Sequence, residues 1–260
     1  MSKKVSLLSL NIGNPSVERA KKQCAWLEKR PEDIFILTET KESRGCEYIK
    51  EFFLQYGYDL FSINATFEYS IHAPASKTGD LGVMIVSKHP ICARYNVFPD
   101  DSIYYARQAE TIIEFAGKEL SVVGLYVPSR DRSDEKIQRK KVFLDIIEKY
   151  IKEAMKKNMV IMGDFNILDR DHRPHYSNFF EWEYAFYDAL IALNYRDAFR
   201  YCHPGRQEYS WVGRTNDGYR YDYCFVSGAL EKNILHCDYI HESREIRITD
   251  HSAISVELKF

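Results

Sequence analysis

Cysteine is sparse and scattered: Cys24, Cys46, Cys92, Cys202, Cys224 and Cys237 form no Cys-x-x-Cys pair and no regular ligand spacing. That argues against both a zinc site and a disulfide framework. Long apolar runs are missing, and Met1-Ser2-Lys3-Lys4 leads into a segment too short and too polar for a signal peptide, so neither a membrane span nor secretion is expected. Neither sign of charge dominates, with 36 Lys and Arg against 38 Asp and Glu; a polyanionic substrate would have to meet a local basic surface. Twelve glycines, eight prolines and no repeat or low-complexity segment exclude collagen-like and disordered chains. What remains is an ordinary globular composition of 260 residues, 45% hydrophobic, read as a single cytoplasmic domain, monomeric, with no membrane partner.

Runs rich in β-branched and aliphatic residues recur at 5–10, 33–37, 81–86, 110–115, 120–127, 159–162, 221–226 and 253–258, and their length and composition predict strands. Between them Ser16 can cap a helix whose Val17, Ala20, Cys24 and Leu27 share a face. Ser133 or Asp134 can cap another carrying Ile137, Leu144, Ile147 and Ile151, and 181–193 gathers Trp182, Phe186, Ala189 and Leu193. Strands alternating with helices, plus the pair joined through Ala116-Gly117-Lys118, predict an α/β fold of mixed sheets with helices packed outside.

Several apolar strands stop at a polar residue, which is how α/β folds present reactive groups, since ligands sit beyond strand ends. The first ends at Asn11, the second at Thr38-Glu39-Thr40, the fifth at Tyr126, and Met159-Val160-Ile161-Met162 runs into Gly163-Asp164-Phe165-Asn166. Strand alternation there puts Asp164 and Asn166 on one side, where a carboxylate can take a proton from water and an amide can bond a negative oxygen. Arg220-Tyr221-Asp222-Tyr223 opens one late strand and Thr249-Asp250-His251 precedes the last. Taken singly, each has a plainer reading: a capping Asp-His pair, a solvated loop acid, a turn amide. The ordered set at strand boundaries is what carries weight.

In that order, Leu8-Ser9-Leu10-Asn11, Thr38-Glu39-Thr40-Lys41, Leu125-Tyr126-Val127-Pro128, Gly163-Asp164-Phe165-Asn166, Arg220-Tyr221-Asp222-Tyr223 and Thr249-Asp250-His251 resemble the endonuclease/exonuclease/phosphatase superfamily. The stretch Asp197-Ala198-Phe199-Arg200-Tyr201-Cys202-His203-Pro204 with Tyr209-Ser210-Trp211 is similar to its exonuclease III-type AP endonuclease branch. The resemblance implies a four-layer α/β sandwich of the deoxyribonuclease-I kind, two mixed sheets flanked by helices. It implies that Glu39 and Asp250 hold Mg²⁺ or Mn²⁺ with Asn11 orienting that site, and that Asp164 activates water. It also implies that Asn166 and His251 stabilise phosphorane oxygens, Asp222 fixes His251, and Tyr126 contacts the phosphate. The activity so implied is hydrolysis of DNA 5′ to abasic sites and at 3′ ends of duplex, as in base-excision repair.

One departure stands out: the family commonly has an acid or second amide two residues after the first asparagine, where this chain has Gly13. Another is Tyr219, where a tryptophan often precedes the late arginine. Trp211 and Tyr219 are candidate walls of a sugar pocket, and Arg173 and Arg220 are candidate phosphate contacts. The basic cluster Arg130, Arg132, Lys136, Arg139, Lys140 and Lys141 reads as a solvated helix start. Two other readings stay open: a phosphoesterase acting on RNA, a nucleotide or another phosphodiester, and a silent nucleic-acid-binding homologue, against which Glu39, Asp164, Asn166, Asp250 and His251 argue.

Overall fold

The computed structural model describes residues 3–57, 59–62, 80–154 and 158–260. In chain order its strands are β1 (Lys4–Asn11), β2 (Ile34–Thr40), β3 (Asp59–Ser62), β4 (Gly82–Ser87), β5 (Ile91–Tyr95), β6 (Gln108–Phe115), β7 (Lys118–Tyr126), β8 (Met159–Asp164), β9 (Tyr195–Asp197), β10 (Trp211–Val212), β11 (Gly218–Tyr219), β12 (Asp222–Ser227), β13 (Ile234–Ile240) and β14 (Ala253–Lys259). The helices are α1 (Val17–Leu27), α2 (Arg44–Gln55), α3 (Asp134–Ala154), α4 (Glu181–Ala192), α5 (Ala198–Cys202) and α6 (Glu242–Glu245).

Two six-stranded mixed sheets result, in the orders β13-β14-β1-β2-β4-β3 and β5-β6-β7-β8-β12-β9. Each contains one parallel pair, β1 with β2 and β7 with β8. Parallel neighbours need a crossover, and α1 and α3 supply them. The other pairings are antiparallel; β6 and β7 turn through Ala116 and Gly117, both at positive φ, the backbone that a tight hairpin requires.

Between the sheets the inward faces interdigitate, among them Leu7, Ile36, Ile85, Val122, Met162, Cys224 and Ile254. Gly124 of β7 lets them approach, since a Cβ there would lie 2.5 Å from Val83 Cγ1. Outside the first sheet Leu8, Leu10, Phe35 and Leu37 pack on Ala20, Cys24, Ile49 and Phe53 of α1 and α2. Outside the second, Val123, Ile161 and Phe225 pack on Phe143, Ile147, Phe186 and Leu190 of α3 and α4. The layers are therefore helix, sheet, sheet, helix, the four-layer sandwich expected.

All eight expected strands and three expected helices are present. Ser16 caps α1 by accepting from the Arg19 amide at 3.4 Å. At α3 the Ser133 hydroxyl instead donates to Asp131, so that helix starts without the expected side-chain cap. Sequence reading did not assign α2, α5, α6, β3, β5, β9, β10, β11 or β13. Along the described helices none is long and apolar enough to cross a membrane.

Candidate active site

The two parallel pairs end side by side, and Asn11, Glu39, Tyr126, Asp164, Asp222 and His251 meet there. Asn11, the last residue of β1, is fully buried. Its Nδ2 lies 3.0 Å from Glu39 Oε1, 3.0 Å from Asp164 Oδ2 and 3.5 Å from His251 Nε2. Its carbonyl accepts from the Thr249 hydroxyl at 2.6 Å, which ties Thr249-Asp250-His251 to β1. Gln23 of α1 adds a second tie, donating through Nε2 to the Ile12 and Ile248 carbonyls at 2.9 and 2.8 Å.

Glu39 reaches the cluster because β2 is bulged: its register with β4 shifts between Thr38 and Thr40, and Glu39 takes φ +56. A non-glycine residue held in that region stores strain, of a kind that collects at functional sites. From the second sheet come Tyr126, Asp164 and Asp222, in one row because Tyr126 and Asp222 are the register partners of Asp164 on its two sides. The Tyr126 hydroxyl donates to Glu39 Oε1 at 3.2 Å, and the Arg107 guanidinium lies over its ring, 4.7 Å from the centroid.

Asp222 Oδ2 is 2.8 Å from His251 Nδ1; a carboxylate there requires the proton on Nδ1 and leaves Nε2 facing the cluster. Burial acts to lower the His251 pKa, but Asp222 and Asp164 outweigh it and the ring is pushed well above its ordinary value. For Asp164 burial comes first, then the Asp222 and Glu39 carboxylates; against the opposing pull of His251 they hold its carboxyl above the usual carboxylate range.

Asp250 is exposed, and its Oδ2 accepts from Trp211 Nε1 at 2.9 Å. It shares with Glu39 a cavity of about 550 Å³. Neither Glu39 Oε2 nor Asp250 Oδ1 meets a donor among the described residues. Among the described residues no group of three or more His, Cys, Asp or Glu side chains is placed to hold a metal ion by itself. Two open carboxylates on one cavity suit a hard divalent ion that keeps several of its waters.

Other expectations are redrawn. Asn166 does not share a face with Asp164 by strand alternation: β8 ends at Asp164, and Asn166 turns at φ +49, its amide N–H donating to Asp164 Oδ1 at 3.0 Å. Its Nδ2 donates to the Val127 carbonyl at 3.1 Å. Arg220 is not at the surface at all. It is fully buried, with Nη2 2.5 Å from Asp169 and 2.7 Å from Asp197, so it ties the loop after β8 to the end of β9 beneath the site. Arg173 is exposed and its Nη1 donates to the carbonyls of Arg170 and His172. Trp211 and Tyr219 do stand together, rings 5.6 Å apart, in an aromatic ladder with Tyr176 and Tyr221 stacked on Tyr219 at 4.3 and 5.1 Å. Trp211 also forms a β-bridge with His251.

Most of the basic cluster is paired: Arg130 and Lys140 on Glu183, Lys136 on Asp131, Arg139 on Asp80. Lys140 is buried, and its Nζ donates to the Asn166 carbonyl at 2.5 Å, a support that sequence reading missed. The signal was there: Lys140 falls in the apolar stripe of α3 set by Ile137, Leu144 and Ile147. Ser210 was missed too; its hydroxyl accepts from the amides of Tyr221 and Asp222, both at 3.0 Å, and nothing in the sequence marks it.

Residues 8–251 match the Endonuclease/Exonuclease/phosphatase family, and the chain belongs to it. It is a phosphodiesterase of that family. Among relatives, it is 23% identical over 247 residues to an exodeoxyribonuclease of Bacillus subtilis, covering 88% of this chain and 91% of that one. A 3′ phosphatase from Neisseria bound to a product DNA hairpin superposes with TM-score 0.79 at 19% identity, over 98% of this chain and all 100% of that one. An AP endonuclease from Archaeoglobus fulgidus gives TM-score 0.75 at 21% identity, over 97% and 98%.

Proposed function

We propose that the protein is a Mg²⁺- or Mn²⁺-dependent DNA phosphodiesterase of the exonuclease III type, cutting 5′ to abasic sites and trimming 3′ ends in base-excision repair. The observation that carries this reading is the convergence of Glu39, Asp164 and His251 on one buried amide of Asn11. Glu39 and Asp250 would hold the ion, which when bound neutralises charge on the scissile phosphate. Asp164 takes a proton from the attacking water, a role that a carboxyl lifted toward neutral pH suits. His251, charged and fixed through Nδ1 by Asp222, offers its Nε2 proton to a phosphorane oxygen, where a preset donor is worth most. Asn11 holds Glu39 and Asp164 in register, and Tyr126 reaches the phosphate from the opposite sheet.

The Trp211 and Tyr219 rings would wall the abasic sugar, which costs less to extrude than a paired nucleotide. Likeness to proteins named for exodeoxyribonuclease, 3′ phosphatase and AP endonuclease activity supports the choice of DNA. The test is a labelled duplex carrying one abasic analogue, run beside intact duplex and single-stranded DNA and RNA, with and without chelator. Incision of the abasic duplex well above the others, abolished by chelator and restored by Mg²⁺ or Mn²⁺, is the expected result. Equal rates on abasic and intact duplex would leave a general nuclease, and turnover on RNA alone would overturn the DNA reading.

A further inference from the structure

The cavity shared by Glu39 and Asp250 has a second character, because three of its lining side chains are arginines: Arg19 of α1, Arg244 of α6 and Arg247 just beyond it. Among the described residues none of the three makes an ion pair, with Glu39 and Asp250 or any other acid. Arg19 spends one nitrogen on the Gly13 carbonyl, and Arg244 has a 3.4 Å contact with His241 Nδ1. Arg19 Nε and Arg244 Nη1 are buried without a partner. Buried donors are rarely left so, and an arginine fork matches phosphate geometry better than any other side chain.

Gly13 keeps that charge free. A Cβ on Gly13 would stand 3.4 Å from Arg19 Nη2, so an acidic side chain grown from this position would lie against the guanidinium and neutralise it. Positive charge also continues past the cavity, where Lys22 of α1 and Lys29 just after it line a second depression of about 410 Å³, with Glu242 and with Arg30, which pairs with Glu32. A small free anion needs only the first cavity, whereas a polyanionic strand uses both.

We infer that Arg19, Arg244 and Arg247 form a subsite for a non-scissile phosphate of the bound nucleic-acid strand, with Lys22 of α1 and Lys29 just after it continuing its track. This rests on the nucleic-acid phosphodiesterase reading above. Each phosphate contact releases condensed counterions, so the dependence of affinity on salt counts the contacts.

The test compares the wild-type chain with the triple variant Arg19→Gln, Arg244→Gln, Arg247→Gln, with triple Arg→Lys as a charge-keeping control. Affinity for a labelled duplex is measured across a salt series without divalent metal, KM and kcat are measured with it, and inorganic phosphate is titrated by calorimetry. In the Gln variant the slope of log K against log salt should shrink by about one, affinity at low salt should fall at least tenfold, KM should rise more than kcat falls, and the phosphate heat should vanish. The Lys control should keep most of the slope. Duplexes with and without a 5′-phosphate separate sources: equal loss on both assigns an internal phosphate, and loss on the phosphorylated duplex alone assigns a terminal one. An unchanged salt slope in the Gln variant, with nuclease activity intact, overturns the subsite while sparing the proposed function. A wild-type chain that holds inorganic phosphate yet neither binds nor cuts any nucleic acid overturns both.

Discussion

Asp164 sits at the meeting point of burial, two carboxylates and a charged imidazole, and its replacement by asparagine keeps volume while removing the carboxylate proposed as the base. Asp164→Asn should therefore lower kcat by at least about two orders of magnitude, the scale of a positioned acid–base group, with a thermal midpoint close to wild type. His251→Ala should lose turnover comparably, and near-normal rates in either variant would sink the assignment. The neighbouring glycine tests structure instead. Gly163 has φ +145, and a Cβ there would lie 1.9 Å from the Leu125 carbonyl oxygen, so Gly163→Ala should cost about 2 kcal/mol or more, read by urea unfolding. The identities in Gly163-Asp164-Phe165-Asn166 were legible because reactive groups cluster at strand ends. The orientation of Asn166 was not, because a left-handed turn set by the Asp164 carboxylate breaks the alternation on which sequence reasoning relied. Arg220 misled for a different reason: a charged residue next to a motif reads as exposed until its partners, Asp169 of the loop after β8 and Asp197 at the end of β9, are brought to it.

Element by element, the buried strands announced themselves and the edges did not. β13 carries His236 and Asp238 among its apolar residues, and β10 and β11 have two residues each, too little pattern to detect. α2 has glycine in its first turn, a poor helix former, yet a Cβ on Gly45 would lie 1.8 Å from the Pro15 carbonyl oxygen; close packing chose the residue over propensity. The short β10 strand also supplies Trp211, whose Nε1 steadies Asp250. If Asp250 holds Mg²⁺ as proposed, Trp211→Phe, which keeps a ring but deletes that donor, should raise the Mg²⁺ concentration for half-maximal activity by about tenfold or more, the usual reach of groups that orient metal ligands. Metal titration of the two proteins decides it. The loop after β8 is pinned through Asp169: burial acts to raise its pKa, but Arg220 and Arg200 outweigh that and hold it below the ordinary 3.8. The unfolded chain then binds more protons between those two values, so this stabilisation is complete above the ordinary pKa and fades as pH falls through the folded one. Melting temperature against pH should drop below about pH 4, and less steeply in Asp169→Asn.

At the scale of the whole molecule, strands alternating with helices pointed to mixed sheets with helices outside, but the four layers and the facing of the two sheets came from the family resemblance, since no local pattern states which face meets which. The site straddles that pairing. Asn11, Glu39 and His251 belong to the first sheet or its loops, Tyr126, Asp164 and Asp222 to the second, and the contacts that join them span 153 residues between Asn11 and Asp164 and 240 between Asn11 and His251. Contacts so distant in sequence form late, because the chain must close long loops before they can hold. Catalysis is consequently a clock for the final step of folding. During refolding from urea, far-ultraviolet circular dichroism should recover first and hydrolysis should lag behind it; coincident recovery would mean that the sheets and their docking form together, in a single cooperative event.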